Sequence, residues 1–458
     1  MISEQYKLAK DSINCTLHKP IQEDGVYWML SMENQVNGPK GGFLCDEMGI
    51  GKTVQTVATI MGNVKTRTLI IVPKCIVNQW VKEIGKFAPL LTTLIYEKNK
   101  IINHDIVICS YHSIDDKLKN IKWDRLVLDE AHEIRNRRTK MFRNIAEIKA
   151  DIRWGLTGTP IFNNMEDFVS LCMYLGFSKK IAQSMTDEIK SIYIMRRKNT
   201  VNLPKCHYED VEIDMTVYER NLYDFVYDEC KKSMGEIIKS QISNNQKTMY
   251  FLENLLRIRQ VMIHPQIYYD GIGKKLNTDI EEWSNKTNKF IQLSKFVDEH
   301  PNEKSLIFFQ FIKEIDIIKS YINREIFVIK GDMSNDLREL ELNNFTNASN
   351  GSVMLIQIKA GGQGLNVQCA SRVYITSPAW NPATELQAIA RSHRHGQTKE
   401  VYVKRIIYNN TYKSKSVEIA IKNLQRYKKC ISNEILGDEM MTPGAKLNID
   451  AIRKIFSV

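Results

Sequence analysis

The chain has 458 residues, with 64 Lys and Arg against 53 Asp and Glu, a formal net charge of +11, and 43% hydrophobic residues. That length exceeds what one hydrophobic core organises and calls for two or three domains, while the ordinary apolar fraction excludes a disordered or fibrous chain. No stretch of about 18 uncharged apolar residues occurs, so no membrane-spanning helix and no membrane partner are expected, and the positive balance favours a polyanionic partner.

The opening MISEQYKLAKDSINC has neither an apolar signal core nor an Arg-rich amphipathic pattern, so an intracellular protein is expected. The nine cysteines stand singly, with no C-x-x-C pair and no Cys/His cluster at zinc spacing. Reduced, mostly buried thiols and no zinc follow.

The apolar run GGFLC ends in DEMGIGKT (46–53) and then in a helical pattern, TVQTVATIM. A strand, a glycine-containing loop and a helix in this order can cradle phosphates: Gly49 and Gly51 let backbone N–H groups turn inward, Lys52 adds a positive charge, and Thr53 offers a hydroxyl to Mg²⁺. The position where G-x-x-x-x-G-K-[ST] has its first glycine is Asp46, which requires only an ordinary backbone conformation there.

Short apolar runs follow at TLIIVP (68–73), DIVICS (105–110), RLVLDEAH (125–132) and RWGLTGTP (153–160). Continuous rather than alternating apolar residues mark strands buried on both faces, as in a parallel sheet covered by helices. Asp129 and Glu130 end one such strand, where Asp129 can hold Mg²⁺ through water and Glu130 can orient and activate the attacking water.

From about 205 to 285 apolar residues recur at helical spacing, as in Tyr218, Leu222, Phe225 and Val226, then Phe251, Leu255, Ile258 and Met262. YYDGIGKKLNTD (268–279) reads as a surface loop from its Gly, Asn and Asp content. Buried-strand runs resume at KSLIFFQF (304–311), IFVIKG (326–331), VMLIQIKAGG (353–362), RVYITSP (372–378) and VYVKRII (401–407). In ELQAIARSHRHGQ, Arg391 and Arg394 are three apart, hence on one helical face, with Gln387 a turn before Arg391. They are either two surface arginines or fingers that meet charge developing on a γ-phosphate.

DEMGIGKT, LVLDEAHEIRN, GLTGTP, KAGGQGLNVQCA and PAWNPATELQAIARSHRHGQT, in this order, resemble motifs I, II, III, V and VI of the Snf2 family of superfamily 2 DNA-dependent ATPases. The aspartate before EMGIGKT is itself what that family has there. LHKPIQEDGVYWM (17–29) is similar to its adenine-reading entry motif and points to Gln22; LIIVPKCIVNQWVKEI, VICSYHSI and LIFFQF are like motifs Ia, Ib and IV. LRIRQVMIHPQI and the closing LNIDAIRKIF look most like the Rad5/Rad16-like branch. One departure stands in motif V, where Gln357-Ile358-Lys359 replaces the usual small hydroxyl residue before the basic position.

The resemblance implies an α/β fold of two RecA-like doubly wound parallel-sheet lobes with a helical insertion between them. The expected boundaries are 1–204 for lobe 1, 205–285 for the helical insertion or linker, 286–440 for lobe 2, and 441–458 for a tail packing on the core. ATP would be held by Gln22 and by Asp46, Glu47, Met48, Gly49, Ile50, Gly51, Lys52 and Thr53, with Mg²⁺ at Thr53 and Asp129. Glu130, Lys52, Arg391 and Arg394 would be catalytic, the arginines reaching the nucleotide when the lobes close. Thr157, Thr159 and Gln387 would relay nucleotide state, and His132 would link motifs by hydrogen bonding.

Double-stranded DNA, gripped by its phosphates without sequence preference, is the implied partner. Its candidate contacts are Lys74, Ser110, Tyr111, Gln310, Lys359, Gly361, Gly362 and Trp380, the last equally a packed core aromatic, while Arg196 and Arg197 brace the lobes, touch phosphate or form a solvated charge run. DNA-bound proteins or the transcription machinery are the implied further partners, at a nucleus or viral replication site. The expected activity is ATP-driven translocation on duplex DNA that remodels or displaces protein–DNA complexes; the alternatives are a strand-separating helicase or a transcription-associated ATPase acting in release.

Overall fold

A computed structural model describes residues 2–47, 49–158, 165–197, 203–276, 278, 282–361, 367–394 and 396–436. The chain divides into two compact units that meet in sequence at residues 202 and 203. The first holds a seven-stranded sheet made of β1 (Lys40–Leu44), β2 (Thr68–Val72), β3 (Thr93–Ile95), β4 (Ile106–Ser110), β5 (Lys122–Asp129), β6 (Lys149–Leu156) and β7 (Ile194–Met195). Its order is β3-β4-β2-β5-β6-β1-β7, and all of these pairings are parallel. Every residue of β2 and β4 is buried, as their uninterrupted apolar sequences require. One core cluster joins these strands to the helices Ile21–Asn34, Lys52–Gly62, Val77–Phe87 and Met165–Leu175.

A buried ion pair lies within this unit. The Arg125 guanidinium donates to Glu33 through Nε at 2.7 Å and Nη2 at 2.6 Å, and both side chains are at most 1% exposed. The Glu33 carboxylate also accepts from Trp154 Nε1 at 2.9 Å and Asn63 Nδ2 at 2.6 Å. Four donors on one carboxylate satisfy a charge that burial would otherwise make prohibitive.

The second unit holds a six-stranded parallel sheet of order β10-β11-β9-β12-β13-β8. The strands are β8 (Cys206–Ile213), β9 (Ser305–Phe309), β10 (Ile326–Ile329), β11 (Val353–Gln357), β12 (Arg372–Ile375) and β13 (Val401–Tyr408). The stretch expected as a helical insertion or linker from 205 thus opens with a strand. Its sequence, CHYEDVEI, hides it: β8 pairs only with β13, at the sheet edge, and none of its residues is fully buried. Charge rather than apolar continuity fixes its register, with Glu209 opposite Lys404 and Asp210 opposite Arg405, the last pair at 2.7 Å.

The helices Val217–Lys239 and Asn244–Ile263 do follow, and they pack with Tyr408, Val417 and Ile421 in one cluster, as part of this unit's own core. Residues 268–276, expected as loop, belong to a helix, Pro265–Leu276. Proline suits its first turn. Gly271 serves close packing, since a Cβ there would lie 2.3 Å from Arg257 Nη1. The expected tail at 441–458 lies outside the described residues.

His264 ends the second of these helices and is 6% exposed, with Nδ1 accepting from the Gln266 N–H at 3.1 Å. Burial pushes its imidazole down to about 4. A depressed folded value means that the unfolded chain takes up the proton first as pH falls. The stabilisation is therefore complete above about pH 6.5 and is lost toward pH 4, on the order of 3 kcal/mol. His264→Asn, which keeps an acceptor without titrating, is expected to flatten the fall in urea-unfolding stability between pH 7.5 and 4.5; a fall as steep as that of the natural chain would refute this.

Candidate functional site

The loop after β1 enters the helix Lys52–Gly62 through Gly49 and Gly51, both at φ 90°. Only glycine adopts that left-handed geometry readily, and it aims the loop's peptide groups at the helix N-terminus, where backbone N–H groups favour an anion. Gln22, 7% exposed, buttresses the turn: its Nε2 donates to Ile50 O at 2.8 Å, and its Oε1 accepts from the His18 N–H at 2.9 Å. A Cβ on Gly51 would stand 2.6 Å from that same Nε2.

Lys52 Nζ donates to Asp46 O at 2.8 Å and Glu47 O at 3.3 Å. Desolvation lowers its pKa below the usual lysine value, against the charges of Glu130, Asp129 and Asp46. Thr53 is half-buried in the first turn of the helix. Met48 lies outside the described residues.

The Asp46 carboxylate, fully buried, faces away from this cradle toward Arg197. Its Oδ1 accepts from the Arg197 N–H and Nε, both at 3.0 Å, and Oδ2 accepts from Nη2. Arg197 Nη2 also reaches Gln55 Oε1 at 2.8 Å, and the Glu47 N–H donates to Arg197 O at 3.1 Å. Arg197 was expected to brace the lobes or touch phosphate; its bonds instead lie within the first unit, where it fastens the loop that carries Asp46. It follows β7, and its place in the sequence gave no hint of Asp46 as the partner.

Asp129 closes β5. In the sheet register Leu44 of β1 and Asp129 of β5 both lie opposite Leu156 of β6, so three parallel strands end level. The phosphate loop and the carboxylates therefore leave the same edge of one sheet, where α/β folds place ligands. Asp129 Oδ1 accepts from the Glu130 N–H at 2.9 Å, and Oδ2 accepts from Trp80 Nε1 at 2.8 Å. Burial and the neighbouring Glu130 push its carboxyl up to about 6, against the Trp80 hydrogen bond and the Lys52 charge.

Glu130 itself sits at φ 53°, the only non-glycine residue with positive φ among the described residues. Strain of this kind, on the order of 1–3 kcal/mol, collects at functional sites. His132 Nδ1 lies 3.3 Å from Glu130 Oε2 and 3.4 Å from Thr157 Oγ1, joining the carboxylate to the end of β6. Thr157 is fully buried, and Thr159 lies outside the described residues.

The candidate DNA contacts divide. Lys74, on a short turn after β2, and Lys359 are exposed and can meet phosphates. Gly361 ends the turn Ile358–Gly361, and Gly362 lies outside the described residues. Tyr111 does not present itself to DNA: it is 4% exposed, and its hydroxyl donates to Asp129 O at 2.6 Å. Ser110 is 6% exposed, with Oγ 2.7 Å from Ser113 Oγ.

Gln310 also turns inward, its amide donating to Ser377 O and Pro378 O at 3.0 Å while Arg259 donates to its oxygen. Trp380 packs half-buried against the helical cluster. The unusual Gln357 accepts from the Gly331 N–H at 2.8 Å and donates to Gln310 O at 3.4 Å, tying loops together.

Gln387 lies in the helix Pro382–Ile389, which ends before Arg391, so the arginines do not share a helical face as their spacing suggested. They occupy the turns beyond it, both half-buried. Ser392 between them donates to Ala370 O at 2.6 Å, and Gln397 donates to Gln368 O at 3.0 Å; these side-chain bonds fix the turns in place of helix continuation.

Residues 21–179 match the SNF2-related domain and residues 287–396 the helicase conserved C-terminal domain. The chain is 29% identical to the mouse (Mus musculus) "SWI/SNF-related matrix-associated actin-dependent regulator of chromatin subfamily A member 1", over 86% of this chain and 42% of that protein. It is 27% identical to "Probable global transactivator" of Orgyia pseudotsugata multicapsid polyhedrosis virus, over 95% of this chain and 94% of that one. The solved "Sulfolobus solfataricus SWI2/SNF2 ATPase core in complex with dsDNA" is 27% identical over 97% of each chain, with a TM-score of 0.42. The chain spans about two-fifths of the length of the mouse protein. The two domains matched in order, and relatives alike along most of the chain, support a place in the Snf2 family.

Proposed function

We propose that this chain hydrolyses ATP and uses the energy to move along double-stranded DNA, remodelling or displacing protein–DNA complexes. The observation that carries the proposal is the level ending of β1, β6 and β5, which sets a phosphate cradle and a carboxylate pair on one sheet edge. Gly49, Gly51 and Lys52 bind the phosphates, Glu130 activates water, and Arg391 and Arg394 stabilise the charge that develops on the transferred phosphoryl group. Gln22 stands beside the loop to recognise the base, and Thr157, Thr159 and Gln387 relay nucleotide state.

The Thr53 hydroxyl and the Asp129 carboxylate are hard oxygen donors, which fits Mg²⁺ held by few protein ligands together with phosphate. When bound, the ion neutralises charge on the β- and γ-phosphates. Lys74, Lys359 and the Gly361-Gly362 backbone grip DNA phosphates without reading bases. Proteins on DNA or the transcription machinery are the further partners, at a nucleus or viral replication site. The branch-level likeness in LRIRQVMIHPQI supports kinship with the Rad5/Rad16-like group.

The test is an ATPase titration with duplex DNA, single strands and RNA at fixed salt. Duplex DNA is expected to stimulate most, with stimulation falling steeply as salt rises. Stimulation by RNA equal to or above that by duplex DNA would refute the proposal.

A further inference from the structure

Three neighbouring strands of the first sheet, β4, β2 and β5, carry at their ends Tyr111, the turn with Lys74, and Asp129. Strand pairing holds them level: Ser110 lies opposite Val72, Ile71 opposite Leu128, and the Tyr111 N–H donates to Val72 O at 3.2 Å. From the exposed Lys74 the chain runs through the turn Lys74–Ile76 directly into the helix Val77–Phe87, whose Trp80 is 2% exposed.

The Trp80 indole N–H ends on Asp129 Oδ2 at 2.8 Å, and the Tyr111 hydroxyl ends on the Asp129 backbone oxygen at 2.6 Å. Packing alone would account for a buried tryptophan but not for the aim of its only polar hydrogen at the one carboxylate that the metal role requires. A carboxylate has four lone-pair sites, so the indole fixes the rotamer of Asp129 while leaving acceptor capacity for a cation.

We propose that Trp80 and Tyr111 are positioning residues for Asp129, and that the Trp80 N–H links phosphate contact at Lys74 to the placement of that carboxylate. The inference rests on the ATPase and duplex-DNA reading above. A shift of the 74–76 turn on a DNA phosphate moves the helix that begins at Val77, and the indole carries the shift to Asp129. DNA stimulation would then pass through a hydrogen bond inside the first unit.

The test uses Trp80→Phe and Tyr111→Phe, each of which keeps an aromatic ring and deletes one donor, with thermal melts confirming folding. The first readout needs no turnover: binding of a fluorescent ATP analogue as Mg²⁺ is titrated. Trp80→Phe is expected to raise the Mg²⁺ concentration for half-maximal binding about tenfold, as loss of an outer partner to a metal ligand does. Tyr111→Phe is expected to move it the same way by less, since its bond is to the backbone.

The second readout is a double-mutant cycle on duplex-DNA stimulation with Lys74→Ala. Lys74→Ala is expected to reduce stimulation in the natural chain and to reduce it no further in Trp80→Phe. An unchanged Mg²⁺ requirement in folded Trp80→Phe overturns the positioning role, and additive losses in the cycle overturn the link. If the natural chain shows neither nucleotide binding nor DNA stimulation, the broader functional reading falls together with this one.

Discussion

Glu130→Gln is expected to lower the steady-state rate of ATP hydrolysis by about 10²–10⁴-fold, the usual loss when a positioned general base is removed. The substitution keeps the shape of the side chain beside His132 and removes its charge, so the path for the water's proton is lost while the phosphate cradle stands. Nucleotide affinity should therefore remain close to that of the natural chain. Lys52→Ala is expected to behave differently, weakening nucleotide binding as well as turnover, because Lys52 is the point charge of the loop itself. Phosphate-release assays alongside nucleotide titrations separate the two, and a natural rate in Glu130→Gln would show that the base is another group.

Arg125→Met is expected to destabilise the first unit by about 3–5 kcal/mol, the effect of leaving one partner of a buried pair uncompensated. Glu33 would keep Trp154 and Asn63 but lose both guanidinium bonds while staying fully buried. Such a loss is a large fraction of the roughly 5–15 kcal/mol by which domains are stable. The double variant Glu33→Gln with Arg125→Met should recover part of it, since no charge is then stranded. Urea unfolding of the natural chain and the two variants checks this, and a loss below about 1 kcal/mol in Arg125→Met would show that the pair is dispensable.

Much of the fold, and the strand–loop–helix setting of the candidate site, was legible in the chain because it depends on local sequence. TLIIV, DIVICS and SLIFF are strands in any parallel sheet that buries both faces, and a G-x-G-K-T between a strand and a helix has one geometry to adopt. The inward role of His132 between Glu130 and Thr157 also followed from what its neighbour leaves for it to do.

What escaped was set by tertiary partners. β8 is an edge strand registered by charges on β13, so neither an apolar run nor a clean alternation marks it. Tyr111 and Gln310 look like outward polar groups, yet each satisfies a backbone oxygen that only the folded chain brings near. Arg197 and Trp80 belong to the site through partners 151 and 49 residues away.

The left-handed turn at Glu130 has a wider meaning for how this protein can be improved. Glycine would rest there without strain, so a search for durability alone would drift toward it and silence the enzyme in the same step. With Glu130 proposed as the water-activating group, heat-tolerant variants of this chain are expected from elsewhere in the molecule, because at residue 130 resilience and chemical work would exclude each other.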